Sequence, residues 1–281
     1  FVEYELQAAE GNLDVTRNYY HYEDEMMRKK TEEHFTADSW SYTEDGYLMF
    51  SGIGALDEMY VMTLRDVKEY AALRVEPLDE ACREWNEKAL LPVGYECNNL
   101  FLTDWDETDF GELDFYDLFD VFYPQIYHRK IPWQSGKNAG NSTVYGIPSK
   151  EFESVIQKFL NVKTDILRKK TIYREKDDTY EYYPRGFYES EYPEHPYPEV
   201  TAFQENDDGT VTLTVHAVFP YLGSSRALVH EVTVRPMENA AAAVQYVSNK
   251  IVSSLDDPDD NWYVPRLSRE ERSLLYEENT D

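Results

Sequence analysis

The sequence is poor in basic residues, in cysteine and in long apolar runs, and each shortage excludes a class of protein. Its 27 Lys and Arg stand against 55 Asp and Glu, a formal net charge of −28. Such a chain repels polyphosphates and anionic lipids, so we expect no nucleic-acid partner. No run approaches the about 18 apolar residues that a membrane-spanning helix needs. Two cysteines, Cys82 and Cys97, make no disulfide framework, and either one bridge or two separate thiols fits the sequence.

Catalytic and nucleotide-binding signatures are missing as well. The chain contains no G-x-S-x-G, no phosphate-binding Walker loop and no G-x-G-x-x-G, which argues against a serine hydrolase and against a nucleotide-binding domain. Hydrophobic residues nevertheless make up 42% of the chain and aromatic residues 15%. The sequence therefore predicts a folded, well-packed protein of 281 residues, long enough for one large core or two ordinary ones.

The clearest structural signal runs from Glu199 to Val252. From Val211 to Phe219 apolar and polar residues alternate with the period of a half-buried strand. The preceding Asn206 to Gly209 predicts a tight turn, because Gly tolerates positive φ and Asn and Asp bond their own backbone. Further strands are predicted over Ala227 to Arg235 and Val244 to Ile251. Together they predict an antiparallel meander of three or four strands.

The first 65 residues predict short strands joined by polar turns. The clearest is a hairpin of residues 40–42 and 47–50 around the turn Glu44-Asp45-Gly46. Alternation or β-rich composition predicts three more strands, over residues 2–6, 13–22 and 59–64.

Helices are predicted where apolar residues recur every three or four positions. They fall near residues 77–89, over 114–122 with Pro124 closing the helix, over 149–160, over 163–169 and near Ser268. The fold class is α+β, with antiparallel sheets and a few packed helices. We divide the chain into a β-rich domain, 1–135, and a domain over 147–281 whose meander packs on the 149–160 helix. One integrated domain is the alternative.

Two groups of residues are candidate metal ligands. Asp104, Asp106 and Asp109 offer oxygens of the kind calcium prefers, as does the acidic run 256–261, although neither matches the twelve-residue calcium loop. A hairpin centred on Gly223 would set His216 opposite His230, with Asn249 beside it, which could bind a divalent metal. The alternatives are a solvated acidic face and half-buried strand histidines.

A third group of candidates is aromatic and lies in the irregular regions. Exposed, these rings would form a platform for a glycan or a peptide, and buried they would hold loops to the body of the protein. The candidates are Trp133, Tyr182, Tyr183, Phe187 and Tyr188.

Six segments carry a resemblance to a known family. They are residues 72–78, 91–96, 111–119, 183–188, 230–236 and 245–249. They resemble an uncharacterised family of secreted lipoproteins from gut Firmicutes, known only as a domain of unknown function. The resemblance implies an exported protein with a lipid-anchoring cysteine upstream of Phe1, and it implies no active site. Where this family usually has glycines after Asn239, the chain has Ala240 to Ala243.

These observations predict a non-enzymatic, extracytoplasmic binding or interaction module at the bacterial cell surface. Its expected ligand is a glycan or a peptide, and its expected contact with the membrane is only through the upstream lipid anchor. We expect no cofactor, with calcium as the alternative. The rival hypothesis is a hydrolase that acts on carbohydrate or cell-wall material through acidic residues, because paired carboxylates can hydrolyse glycosidic bonds.

Overall fold

The computed structural model describes residues 2–9, 11–23, 26–53, 68–132, 144–186, 195–237, 242–255 and 262–277. These ranges contain five α-helices: α1 Glu80–Trp85, α2 Phe115–Tyr127, α3 Ser149–Phe159, α4 Thr164–Lys170 and α5 Arg269–Glu277. The strands are β1 Val2–Ala9, β2 Asn12–Glu23, β3 Met26–Thr36, β4 Ser39–Tyr42, β5 Tyr47–Ile53, β6 Lys68–Arg74, β7 Trp105–Asp106, β8 Tyr145–Pro148, β9 Tyr173–Arg174, β10 Thr179–Tyr182, β11 Tyr197–Glu205, β12 Val211–Phe219, β13 Ser224–Pro236 and β14 Val244–Ser254. The predicted α+β class is confirmed.

The chain divides into two units. Unit 1 comprises residues 1–77 and 218–225, and unit 2 comprises residues 78–217 and 226–281. The sequence placed a domain boundary between residues 135 and 147, and most of that stretch lies outside the described residues. That boundary therefore stays a prediction.

Unit 1 is built from two three-stranded antiparallel sheets, with strand orders β1-β2-β3 and β4-β5-β6. The predicted hairpin around Gly46 is confirmed as β4 and β5, and Gly46 has the positive φ (87°) that its turn requires. A small core formed by Leu13, Val15, Leu48 and Phe50 joins residues from both sheets. The predicted strand over residues 59–64 lies outside the described residues.

Most residues of the predicted meander belong to unit 2, where they form the greater part of a five-stranded sheet with the order β11-β12-β13-β14-β7. Along β12, Val211, Leu213 and Val215 are buried while the residues between them are half-buried, as the alternation predicted. The two residues of β7 pair with Ser248 and Asn249 and extend the sheet by a strand that the sequence did not indicate. A smaller sheet, β8-β10-β9, also belongs to this unit.

Aromatic stacking joins the helices of unit 2 to its large sheet. The ring of Phe122 in α2 stacks on Phe159 in α3 at 4.1 Å between centroids and on Tyr246 in β14 at 6.2 Å. Leu160 at the end of α3 forms a parallel bridge with Tyr246. The predicted packing of the meander on the 149–160 helix is therefore confirmed.

Pro124 does not close α2 as predicted. The helix continues to Tyr127 and ends at His128, whose φ of 50° is left-handed and whose N–H donates to the Pro124 carbonyl. A proline in the last turn removes a single backbone donor, and the buried residues Phe119, Phe122 and Tyr123 hold the helix to the core around it. The helix predicted near 77–89 is confirmed over residues 80–90, where α1 passes directly into a π-helical segment, Asn86–Leu90. None of the described helices is long and apolar enough to cross a membrane.

Candidate functional site

A cluster of carboxylates and arginines lies along α2 in unit 2. Asp114 caps the helix and accepts hydrogen bonds from the backbone N–H groups of Tyr116 and Asp117. Asp117 and Asp120 follow at intervals of three residues, so all three carboxylates lie toward one side of the helix. We call these three residues with Arg185 and Arg266 the Asp–Arg cluster.

Asp117 is the centre of this cluster and is fully buried. Arg185 donates to both of its carboxylate oxygens, at 2.9 and 2.5 Å. The Nε of Arg266 donates to Oδ1 at 2.6 Å, and the Tyr263 hydroxyl donates to Oδ2 at 2.7 Å. Each oxygen therefore accepts two hydrogen bonds, which accounts for the acceptor capacity of a buried carboxylate.

The two flanking carboxylates also face Arg266. Asp120 pairs with its guanidinium and accepts from the Tyr182 hydroxyl at 2.7 Å. Burial raises the pKa of Asp120, and Arg266 opposes that shift. Asp114 lies 4.0 Å from the Arg266 Nε. Burial, together with the nearby charge of Asp117, raises the pKa of Asp114 to about 6. Three acids thus share two arginines, so one carboxylate of the cluster is left in excess.

A second buried polar chain runs through the large sheet of unit 2. Asn249 donates its amide to the Thr103 carbonyl at 2.8 Å, which leaves its oxygen facing His230 Nδ1 at 2.7 Å. Nδ1 must therefore carry the imidazole proton, and Nε2 accepts from the Tyr95 hydroxyl at 2.7 Å. Burial lowers the pKa of His230 to about 4, so the ring is neutral near pH 7. We call Tyr95, His230 and Asn249 the Tyr–His–Asn chain.

The Tyr–His–Asn chain confirms one predicted neighbour of His230. It also shows that the imidazole takes part in hydrogen bonds inside the protein. Asn249 lies beside His230 as the sequence predicted. Both ring nitrogens already have partners, so a metal ion at His230 would have to displace Asn249 or Tyr95. His216 is half-buried, between buried neighbours on β12. No group of three His, Cys, Asp or Glu side chains suited to a metal ion occurs within the described ranges.

The three predicted calcium ligands each bond to backbone N–H groups. Asp104 accepts from Ile251 N on β14 at 2.6 Å, and Asp109 accepts from Gly111 N at 3.0 Å. Asp106 accepts from the N–H groups of Thr108 and Asp109 and from the Thr108 hydroxyl. The Thr108 hydrogen bonds lower the pKa of Asp106. These acids therefore shape the loop around β7, and the second calcium candidate, residues 256–261, lies outside the described residues.

The predicted aromatic platform is described only in part. Tyr182 is fully buried, so its ring cannot face a ligand, and its hydroxyl is held by Asp120. Tyr183 is half-buried, donates to Glu181, and lies under the guanidinium of Arg272. Trp133, Phe187 and Tyr188 lie outside the described residues. The burial of Tyr182 therefore favours the alternative hypothesis, in which a buried ring holds the chain to the body of the protein.

The cysteines are two free thiols. Cys82 is buried, and burial raises its pKa. Burial also raises the pKa of the Cys97 thiol, and Arg185 opposes that shift. A thiol with a raised pKa is mostly protonated near neutral pH and is a poor nucleophile.

Sequence reasoning did not single out Arg185, Arg266, Tyr263 or Tyr95. Arg185 and Tyr95 lie in two of the segments that carry the family resemblance, which is the signal that could have drawn attention to them. Arg266 and Tyr263 follow the acidic stretch after Asp256 and have no comparable local pattern.

A family model described as "Family of unknown function (DUF6070)" matches residues 1–266. No curated protein matches the chain. No solved structure matches it either.

Proposed function

The chain belongs to DUF6070, a family of unknown function, so the family itself assigns no activity. From the contacts of the chain's own residues, we propose that the protein is a non-enzymatic binding module. The observation that carries the proposal is the state of Asp117, which is buried and accepts from Arg185, Arg266 and Tyr263. A carboxylate held in this way supports the fold and is not available as a nucleophile or proton donor.

The rival hydrolase hypothesis receives less support from these contacts. Hydrolysis by two carboxylates needs one acid that can release a proton and a second that can attack or activate water. Asp114 has a raised pKa, as such an acid requires, but its oxygen caps α2. Asp117 and Asp120 lie beside it and are both paired with arginine. The cluster therefore resembles an internal ion-pair network that holds residues 185 and 263–266 to α2.

The charge of the chain supports a cationic ligand. A net charge of −28 attracts basic groups and repels polyanions. Of the two ligand classes predicted from the sequence, glycan or peptide, a peptide with basic residues is therefore favoured.

The proposal includes an extracytoplasmic location at the bacterial cell surface with a lipid anchor upstream of Phe1. Its support is the resemblance to secreted lipoproteins described above. Fractionation of cells that express the protein with its native upstream sequence tests this part, and recovery in the cytoplasmic fraction would contradict it.

Sedimentation with insoluble bacterial cell-wall material tests binding against hydrolysis. We expect the purified protein to sediment with the wall and to release no soluble fragments. Release of fragments that is lost in Asp114→Asn would establish the hydrolase instead. The matched control is Glu84→Gln, which also neutralises one acid but at an exposed ion pair with Lys88.

A further inference from the structure

One face of the β1-β2-β3 sheet in unit 1 is polar, and its strand register defines that face. Glu3 on β1 lies opposite Asn18 on β2, which lies opposite Glu32 on β3. The side chains that alternate with them point to the other face. There Tyr4 and Phe35 contact Phe50 in the core of unit 1. We call the face that carries Glu3, Glu5, Thr16 and Asn18 the polar sheet face.

Asn18 is the unusual residue of this face, because it is fully buried although it lies among charged side chains. Its amide nitrogen donates to Glu5 Oε1 at 3.1 Å and to Glu3 Oε2 at 3.4 Å. Its amide oxygen is also buried and receives no hydrogen bond from any residue that the structure describes. Buried polar atoms in folded proteins nearly always have a partner, so this oxygen calls for a donor.

The neighbours of that oxygen determine what kind of donor fits. The nitrogen of the same amide group contacts the Glu3 and Glu5 carboxylates, so the charged groups that surround the Asn18 amide are acidic. Among the side chains that the structure describes, which exclude those of residues 21–30, no Lys or Arg forms an ion pair with either glutamate. The hydrogen bonds that Glu3 accepts from these side chains are neutral, from Asn18 and from the Tyr20 hydroxyl at 2.7 Å. A hydrogen-bond donor that binds beside Asn18 would meet the two glutamate carboxylates and the neutral amide oxygen of Asn18.

We propose that Glu3, Glu5 and Asn18 form a binding site for a primary ammonium or guanidinium group. Such a group carries several N–H donors and a positive charge, so it can satisfy the Asn18 oxygen and both carboxylates together. A divalent metal fits less well, because calcium takes six to eight oxygens and two carboxylates with one amide supply at most five. The inference rests on the proposed binding function and specifies its ligand class.

The same chemistry can come from the side chains of a basic peptide or from a free polyamine. Titration calorimetry of the whole chain at constant ionic strength distinguishes them, with pentalysine, pentaarginine and spermidine as probes. Pentaglutamate and calcium chloride serve as ligand controls. We expect at least one cationic probe to bind. Binding of the peptides alone identifies a peptide ligand, and binding of spermidine alone identifies a free amine.

Two variants locate the site, and a third controls for charge. Glu5→Gln and Asn18→Thr should each weaken binding about tenfold, the usual effect of losing one charge-assisted hydrogen bond. Asp14→Asn removes a charge from the same strand, four residues from Asn18, where Asp14 accepts from Thr36 at 2.7 Å. It should change the affinity less than twofold.

The outcomes that overturn the site are specific. Equal weakening in Asp14→Asn and Glu5→Gln would show a diffuse acidic surface, and binding of calcium in place of the amines would show a metal site. No binding of any cationic probe would also overturn it. Glu5 is exposed, so Glu5→Gln keeps the test valid even where Asn18→Thr unfolds unit 1. Sedimentation with cell-wall material that persists without amine binding would overturn this site and leave the binding module standing.

Discussion

The side chains of Arg266 and Asp117 form a buried ion pair, with Nε 2.6 Å from Oδ1, although 149 residues separate them in the sequence. Arg266 is also held by Asp120 on the next turn of α2. The pair therefore ties the chain before α5 to the central helix of unit 2, and it joins two regions that no local pattern connects.

Removal of Asp117 should be the most damaging single change in this cluster. Asp117→Asn breaks the buried ion pairs that Asp117 forms with Arg185 and Arg266, and breaking a buried pair in this way costs about 3–5 kcal/mol. Urea unfolding measures the loss. Glu84→Gln, at the exposed pair with Lys88, should cost about 0.5 kcal/mol or less. Similar losses in the two variants would show that Asp117 contributes no more than a surface charge.

Asp114 should make the protein less stable as the pH rises from 4 to 7. Its pKa of about 6 in the folded protein exceeds the ordinary value of 3.8, so the folded state binds the proton more tightly. The resulting stability is complete below about pH 3.8 and is lost as the pH rises through about 6. The side chain is 24% exposed, so we expect a loss of about 1–3 kcal/mol.

Asp114→Asn isolates this effect, because Asn is as good a helix cap as Asp. The variant should match the wild type near pH 4 and exceed it in stability at pH 7.5, as measured by urea unfolding at each pH. A variant that is less stable than the wild type at pH 7.5 would show that the Asp114 charge is needed by Arg266.

The Tyr–His–Asn chain predicts a cost for deleting one hydroxyl. Tyr95→Phe leaves His230 Nε2 buried without a donor, which should lower the free energy of unfolding by about 1–3 kcal/mol. Tyr173→Phe is the matched control, because it deletes an exposed hydroxyl bonded to Asp178 and should cost about 0.5 kcal/mol or less. If both variants lose the same amount, the buried hydrogen bond has no special weight.

Local rules predicted much of the fold. Patterns among residues only a few positions apart were enough for three elements. Alternation predicted the meander, turn residues predicted the hairpin around Gly46, and helical spacing predicted the helix over 149–160. By contrast, β3 carries the sequence MMRKKTEEHFT, which lacks a regular alternation and was missed. Its pairing with β2, and not its own composition, makes it a strand.

The candidate sites were less accessible to the same reasoning. The proximity of His230 and Asn249 was predicted from strand register, yet the Cα partners are His230 with Ile251 and Val232 with Asn249. The register of β13 and β14 shifts by one residue between Thr233 and Val234, on the side of His230 that faces the turn. The partners of Asp117 come from residues 68 to 149 positions away. Such contacts depend on tertiary packing, so neither the cluster nor the burial of Tyr182 could be read from the acidic run or the aromatic composition.

The loop that carries the predicted calcium ligands should depend on one glycine. Gly111 has a φ of 48°, and a Cβ there would lie 2.6 Å from the Asp104 carbonyl oxygen. Gly209 has a φ of 81° with nothing within 4 Å of that position. Gly209→Ala should therefore cost only the left-handed strain, about 1–2 kcal/mol. Gly111→Ala adds a clash with the backbone of Asp104, which should lower the free energy of unfolding in urea by about 1–3 kcal/mol more.

Because Asp104 also accepts a hydrogen bond from Ile251 N, the clash would displace the edge of the large sheet. Equal losses at the two glycines would show that the loop can shift freely, and that the close approach to Asp104 does not fix its shape.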